Sequence, residues 1–157
     1  YRRLTGWFVA ELGQSEFQHW LDLRCLLWPG DSASHFSDIT RYFSGQNPHI
    51  ERVWGVRLEG SAVLGFLELS LRSYAEGTGD SPVPYVEGWF VRADARGKGA
   101  GKALIEKAMD WASSRGFTHL ASDTDLSNEG SIRAHHAVGF TEVGRQVAFL
   151  RPLKPQN

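Results

Sequence analysis

The sequence predicts a mixed α/β fold, a central sheet flanked by helices, on three observations. Strand-like and helix-like patterns alternate from one end of the chain to the other. The 157 residues suit one domain with one core, since a domain usually takes ~100–200. Apolar residues make up 41% and charged residues 22%, both near the soluble globular average.

Each element follows from local pattern. Trp7-Phe8-Val9-Ala10-Glu11-Leu12, rich in aromatic and β-branched residues, predicts a first strand. Ser15 and Gln18 stand at capping-box spacing and mark a helix start. Phe17, Trp20, Leu21, Cys25 and Trp28 recur at three- and four-residue spacing, so one face of that helix is apolar, and Pro29-Gly30 stops it. Asp31-Ser32 caps a second helix with Phe36, Ile39 and Phe43 on its inner side. Residues 51–58 and 63–72 read as strands joined by a hairpin at Glu59-Gly60-Ser61. In the second, Val63, Leu67, Leu69 and Leu71 face one way and Glu68, Ser70 and Arg72 the other. Residues 74–84, with Gly77, Gly79, Pro82 and Pro84, form a loop. Residues 85–91 are almost unbroken apolar, as in a strand covered on both faces. Residues 99–115 predict a long helix with Leu104, Ala108 and Trp111 on one stripe and Gly116 as C-cap. A short strand at 118–122, a helix at 127–138 ended by Gly139 and a last strand at 143–150 complete the order β-α-α-β-β-β-α-β-α-β.

Composition narrows the function classes. Seventeen Lys+Arg against eighteen Asp+Glu give a net charge of −1, which offers no footprint for nucleic acid or anionic lipid. No apolar run approaches the ~18 residues that span a bilayer. Tyr1-Arg2-Arg3-Leu4-Thr5-Gly6 is basic without the apolar stretch of a signal peptide, and the missing initiator Met points to trimming. Cys25 is the single cysteine, so a reducing, cytoplasmic setting is expected. His19, His35, His49, His119, His135 and His136 show no ligand spacing with Cys or carboxylates, so no metal is expected. Six Trp and nine Phe supply a dense core and suit a pocket for a ring-shaped ligand.

The first chemical signal is Arg96-Gly97-Lys98-Gly99-Ala100-Gly101, between a buried strand and a long helix. Glycines let the backbone approach a ligand, and a helix start offers unpaired N–H groups and the positive dipole end. With Arg96, Lys98 and Lys102 the site suits a pyrophosphate. A Walker A loop requires Gly where Arg96 stands and Ser or Thr where Ala103 stands. The dinucleotide pattern G-x-G-x-x-G fails at Lys102 if begun at Gly97 and at Leu104 if begun at Gly99.

Val91-Arg92, then Arg96-Gly97-Lys98-Gly99-Ala100-Gly101-Lys102-Ala103-Leu104, resemble the acetyl-coenzyme A motif of the GNAT superfamily of N-acetyltransferases. Asn128-Glu129, Ser131, His135 and Gly139-Phe140 resemble that superfamily's second motif, and the element order matches its fold over nearly the whole of residues 1–157 as a single domain. The resemblance implies a mostly antiparallel sheet whose strand around Trp89 to Val91 opens to admit pantetheine and the acetyl group. It implies cofactor contacts from Phe90, Val91, Arg96, Gly97, Lys98, Gly99, Ala100, Gly101, Lys102 and Asn128, with the amides of residues 96–102 on the pyrophosphate.

Three further segments resemble bacterial aminoglycoside 6′-N-acetyltransferases: Leu27-Trp28-Pro29-Gly30, Ser81-Pro82-Val83-Pro84-Tyr85-Val86-Glu87-Gly88-Trp89-Phe90-Val91 and Ala121-Ser122-Asp123-Thr124. That likeness implies that Glu87, Asp123, Trp28 and Tyr74 face the acceptor, with Asp123 as a base, and that the chain forms a homodimer. His135 departs from the many superfamily members that carry Tyr there as the acid for the leaving thiolate. Imidazole can donate a proton, and a His on a helix face also serves structure alone.

The residues bear on these roles independently. An unpaired carboxylate at Glu87, mid-strand among aromatic residues, costs several kcal/mol, so it is either functional or paired with an Arg. Asp123 ends a short strand, where α/β sites gather, and also reads as a turn or cap carboxylate. Glu76, Asp80 and Asp125 add negative charge that steers a polycationic amine, or are solvated loop charge. Trp28 reads as core or as a ligand platform beside Pro29-Gly30. The expected chemistry is direct acetyl transfer to a primary amine, with Asp123 or Glu87 removing its proton and backbone N–H near Phe90 or Val91 polarising the thioester carbonyl. Acetylation of a protein N-terminus, lysine or polyamine, and a non-catalytic coenzyme A-binding module, are the alternatives.

Overall fold

A computed structural model of the chain describes residues 6–154. The basic run at residues 1–5 lies outside the described residues. The fold divides into two compact units, Tyr1–Asp123 and Thr124–Asn157.

The first unit is built on one sheet. Strands β1 (Trp7–Glu11), β2 (Arg52–Leu58), β3 (Gly65–Arg72), β4 (Val83–Val91) and β5 (Ala121–Ser122) lie in that spatial order. Neighbours pair antiparallel except β4 and β5, which run parallel. Helices α1 (Phe17–Leu27) and α2 (Ser32–Phe43) join β1 to β2, and α3 (Ala100–Ser114) joins β4 to β5.

Alternation along the strands sorts the two faces of the sheet. Val53 and Phe66 pack with Trp20 and Leu23 of α1 and Ile39 of α2 in one fully buried cluster. Trp54, one residue along from Val53, meets Trp111 of α3 edge to face at 6.1 Å, so α3 covers the opposite side. Leu104, Ile105 and Ala108 of α3 are buried there.

Local details correct the sequence expectations. The capping box at Ser15 does not form, because Glu16 N bonds back to Gly13 O and makes a 3-10 turn over Gln14–Glu16. α1 begins at Phe17, and Gln18 instead donates to Asp22 at 2.8 Å. Asp31 does cap α2, accepting from Ser34 N at 3.0 Å. Phe36 is 54% exposed rather than inward; His35 and Ile39 are the buried residues of α2. β5 is two residues, not five, because Thr118 and His119 both bond Asp80 and hold the loop instead of extending the ladder.

In the second unit α4 (Glu129–Ala137) is capped by Asn128, whose side chain accepts from Ser131 N at 3.0 Å. The last strand expected at residues 143–150 is absent. Val147, Phe149 and Leu150 fit a strand by composition, but a strand needs a neighbour for its backbone N–H and C=O groups. Phe149 and Leu150 are instead 92% and 97% exposed.

Candidate active site

The sheet face toward α1 and α2 carries an irregularity in β4. Leu69 pairs with Val86 and Glu68 with Gly88, so Glu87 is an extra residue, a β-bulge. The bulge lets Glu87 and Gly88, adjacent in sequence, both address the α1/α2 side of the sheet. Ser70 Oγ donates to Glu87 Oε1 at 2.6 Å, and Arg72 Nε and NH2 donate to Oε1 and Oε2 at 2.6 and 2.7 Å. A side chain on Gly88 would collide with the Trp28 ring, 2.7 Å from where its Cβ would lie, so glycine admits the indole.

A cavity of about 480 Å³ opens here, with Trp28, Ser70, Arg72 and Glu87 among its lining residues. The structure therefore brings Trp28 and Glu87 together. Tyr74 and Asp123 do not line this cavity. Tyr74 is exposed and donates its hydroxyl to Glu76 at 2.7 Å. Asp123 follows β5 directly and is tied to the same sheet face by Tyr85, which pairs across from Ser70 and donates its hydroxyl to Asp123 Oδ2 at 2.7 Å.

Burial alone raises the Glu87 carboxyl, but hydrogen bonds from Arg72 and Ser70 outweigh it and hold it below the ordinary glutamate value. Burial raises the Tyr85 phenol well above its usual value, and its bond to Asp123 adds to that, so it stays a donor. The cavity floor holds a pair that sequence reasoning missed. Glu68, wholly buried, accepts from Trp20 Nε1 at 2.8 Å and pairs with Arg24 Nε at 2.8 Å, and Arg24 also pairs with Asp38 at 3.2 Å. Burial pushes Glu68 up to about 7, against the pull of Arg24 and Trp20. Its only sequence signal was a carboxylate among leucines, in Leu67-Glu68-Leu69.

The glycine loop follows the same strand. Beyond the bulge β4 parts from β5, whose ladder runs only beside Tyr85 and Val86. Arg96 Nε donates to Val91 O at 2.7 Å and its guanidinium lies 5.3 Å from the Phe90 ring, so Arg96 braces the strand end. Gly99 has φ +92, a left-handed conformation that glycine adopts at no steric cost, and it delivers the chain into α3. The first amides of a helix lack intrahelical partners, and Ala103 N is bonded to Gly99 O at 3.0 Å. That leaves Ala100, Gly101 and Lys102 presenting N–H groups at the open end, with the cations of Lys98 and Lys102 beside them, an arrangement of donors and positive charge that suits an anion. Gly101 has a second reason: its carbonyl accepts from Trp89 Nε1 at 3.1 Å, and an added Cβ would press on that indole at 3.2 Å.

In the second unit, His135 Nδ1 lies 2.7 Å from Ser131 O, which makes Nδ1 the protonated nitrogen of the neutral ring, and the ring meets Phe140 edge on at 5.3 Å. The Asn128 amide oxygen, expected on the cofactor, is engaged in capping α4. Among the described residues no group of three His, Cys, Asp or Glu is placed to hold a metal ion, and no helix is long and apolar enough to cross a membrane.

A strand that bulges beside a cavity and then runs through a glycine loop into a helix agrees with the family match. The model of the acetyltransferase (GNAT) family matches residues 17–140, and the chain belongs to that family. Within it, the chain is 44% identical to aminoglycoside N(6′)-acetyltransferase type 1 of Klebsiella aerogenes, over 92% of this chain and 96% of that protein. The Serratia marcescens protein of the same name is 37% identical, over 85% and 91%. The crystal structure of aminoglycoside 6′-N-acetyltransferase AAC(6′)-Ih from Acinetobacter baumannii superposes with a TM-score of 0.85 at 31% identity, covering 95% of this chain and all of that one. AAC(6′)-Iy in complex with a bisubstrate analogue, CoA-S-monomethyl-acetylneamine, gives 0.84 at 30% identity, covering 93% and 98%.

Proposed function

We propose that the chain, as one acetyltransferase domain of residues 1–157, moves acetyl from acetyl-coenzyme A to the 6′-amine of an aminoglycoside antibiotic and so confers resistance. The observation that carries this reading is the Glu87 bulge, which sets a carboxylate on the wall of a sugar-sized cavity in the strand that leads into the glycine loop.

Acetyl-coenzyme A supplies the acetyl group as a thioester. The open end of α3 suits its pyrophosphate, and the parting of β4 from β5 suits its pantetheine arm. A 6′-ammonium must lose a proton before it can attack. Asp123, oriented by Tyr85, takes that proton directly or through water, while Glu87 holds the amine. Backbone N–H near Phe90 or Val91 stabilises the charge on the carbonyl oxygen as the C–N bond forms. The C–S bond then breaks and the nitrogen gives up its second proton; His135, its Nδ1–H held by Ser131 O, is assigned to protonate the thiolate from Nε2, which requires the imidazolium form. Trp28 gives the sugar an apolar face, and Tyr74, exposed and bonded to Glu76, is proposed as a further acceptor contact outside the cavity lining.

The proposal extends to a homodimer in the cytoplasm, where acetyl-coenzyme A and a reduced Cys25 are at home. Val147, Phe149, Leu150 and Leu153 are all more than two-thirds exposed on a segment without a strand partner in the described chain, and a second copy is the commonest cover. Light scattering at micromolar concentration is expected to give twice the mass of one chain; a mass near 17.5 kDa contradicts the dimer. Thiol release from acetyl-coenzyme A tests the activity: kanamycin or tobramycin must drive it, and a peptide or spermidine must not. Release with the peptide or spermidine alone means another amine is the acceptor, and release with none means a binding module.

A further inference from the structure

Both oxygens of Glu87 already have a cation. Arg72 grips them in a bidentate fork, and Ser70 adds a third donor to Oε1. Arg72 lines the same cavity, and its side chain is 42% exposed at the end of β3. On its other side the guanidinium lies 3.6 Å from the centre of the Tyr85 ring, whose hydroxyl holds Asp123. One cation therefore links the two acceptor-side carboxylates.

An incoming ammonium seeks the same oxygens, because guanidinium and ammonium are both cationic donors and a carboxylate only accepts. We infer that Arg72 is an internal stand-in for the acceptor's amine: it neutralises Glu87 while the cavity is empty and is displaced when a polycationic amine enters. This rests on the reading of Glu87 as an acceptor carboxylate. Ser70 stays behind to hold the carboxylate in place. Displacement makes Arg72 a specificity residue. A monoamine must overcome the Arg72–Glu87 pair with one charge, whereas a polycation is held by further negative groups during the exchange.

Steady-state kinetics of Arg72→Gln, Arg72→Lys and Glu87→Gln, with kanamycin and with 6-amino-6-deoxyglucose, test this. An exposed ion pair corresponds to about fivefold in an equilibrium constant, so Arg72→Gln is expected to lower KM for kanamycin by about that factor. The single-amine sugar should gain at least as much, and Arg72→Lys, which keeps the cation, should stay near the wild type. A KM that rises in Arg72→Gln and is rescued by Arg72→Lys means Arg72 holds Glu87 for the substrate, and it overturns displacement. An unchanged KM with only a lower melting temperature assigns Arg72 a structural role and overturns it too. Glu87→Gln separates the two levels. If it raises KM while Arg72→Gln does not lower it, displacement alone fails; if it leaves KM unchanged, Glu87 has no acceptor role and both readings fall.

Discussion

Tyr85 donates its hydroxyl to Asp123 at 2.7 Å, across the one parallel pairing in the sheet. The phenol is held by burial in β4, so it fixes a carboxylate that sits beyond the end of a two-residue strand. Tyr85→Phe removes the donor and keeps the ring. A hydrogen bond to a charged group is worth ~1.5–3 kcal/mol, so kcat with an aminoglycoside is expected to fall by about tenfold or more. KM for acetyl-coenzyme A should not move. A kcat equal to wild type shows that Asp123 is oriented by something else.

Asp123→Asn keeps shape and removes charge. As general base Asp123 should account for ~10²–10⁴ in kcat/KM, measured with an aminoglycoside from pH 6 to 9. A folded variant with wild-type rates across that range transfers the role to Glu87.

Gly99 and Gly101 carry different constraints. A β-branched side chain at Gly99 must adopt φ +92, and at Gly101 it must push the Trp89 indole. Gly99→Val and Gly101→Val should each weaken acetyl-coenzyme A binding by about tenfold or more, through the ~1–2 kcal/mol cost of a left-handed residue at Gly99 and through displacement of the Trp89 indole at Gly101. Calorimetric titration of variants with wild-type circular dichroism decides it. Unchanged affinity in either removes the loop from the cofactor site.

Glu87 sits below the usual glutamate range because Arg72 and Ser70 outweigh its burial. A depressed carboxyl stabilises the fold at pH above its unfolded value, ~4.3, and that contribution is lost as pH falls through the lower folded value. The wild type should therefore be more stable than Glu87→Gln from neutral pH down to about 5, with the gap closing in acid. Urea midpoints from pH 3 to 7 measure it, and a gap that widens in acid contradicts the pairing.

Part of this site's geometry was legible in local pattern. Arg96 to Lys102 read as a glycine turn between a strand and a helix, which the left-handed geometry at Gly99 matches, and Glu87 stood out as a charge in an aromatic strand. The bulge was not legible, because it is a property of register between β3 and β4, and one strand's sequence does not contain it. Arg72 read only as a residue on the strand face opposite the leucines, since its partner lies fifteen positions away on the next strand. The Glu68–Arg24 pair was hidden for the same reason, with its members on β3 and α1. Residues 143–150 misled in the opposite sense: their apolar residues fitted a strand, but pairing depends on what lies alongside.

Acetyl transfer to the 6′-amine is tested most directly by two acceptors that differ at that position alone. Neomycin carries an amine at 6′ and paromomycin a hydroxyl. With acetyl-coenzyme A in excess, neomycin should release thiol and gain one acetyl group, while paromomycin should release none above background. Equal release with both would place the acetyl group elsewhere and contradict the assignment.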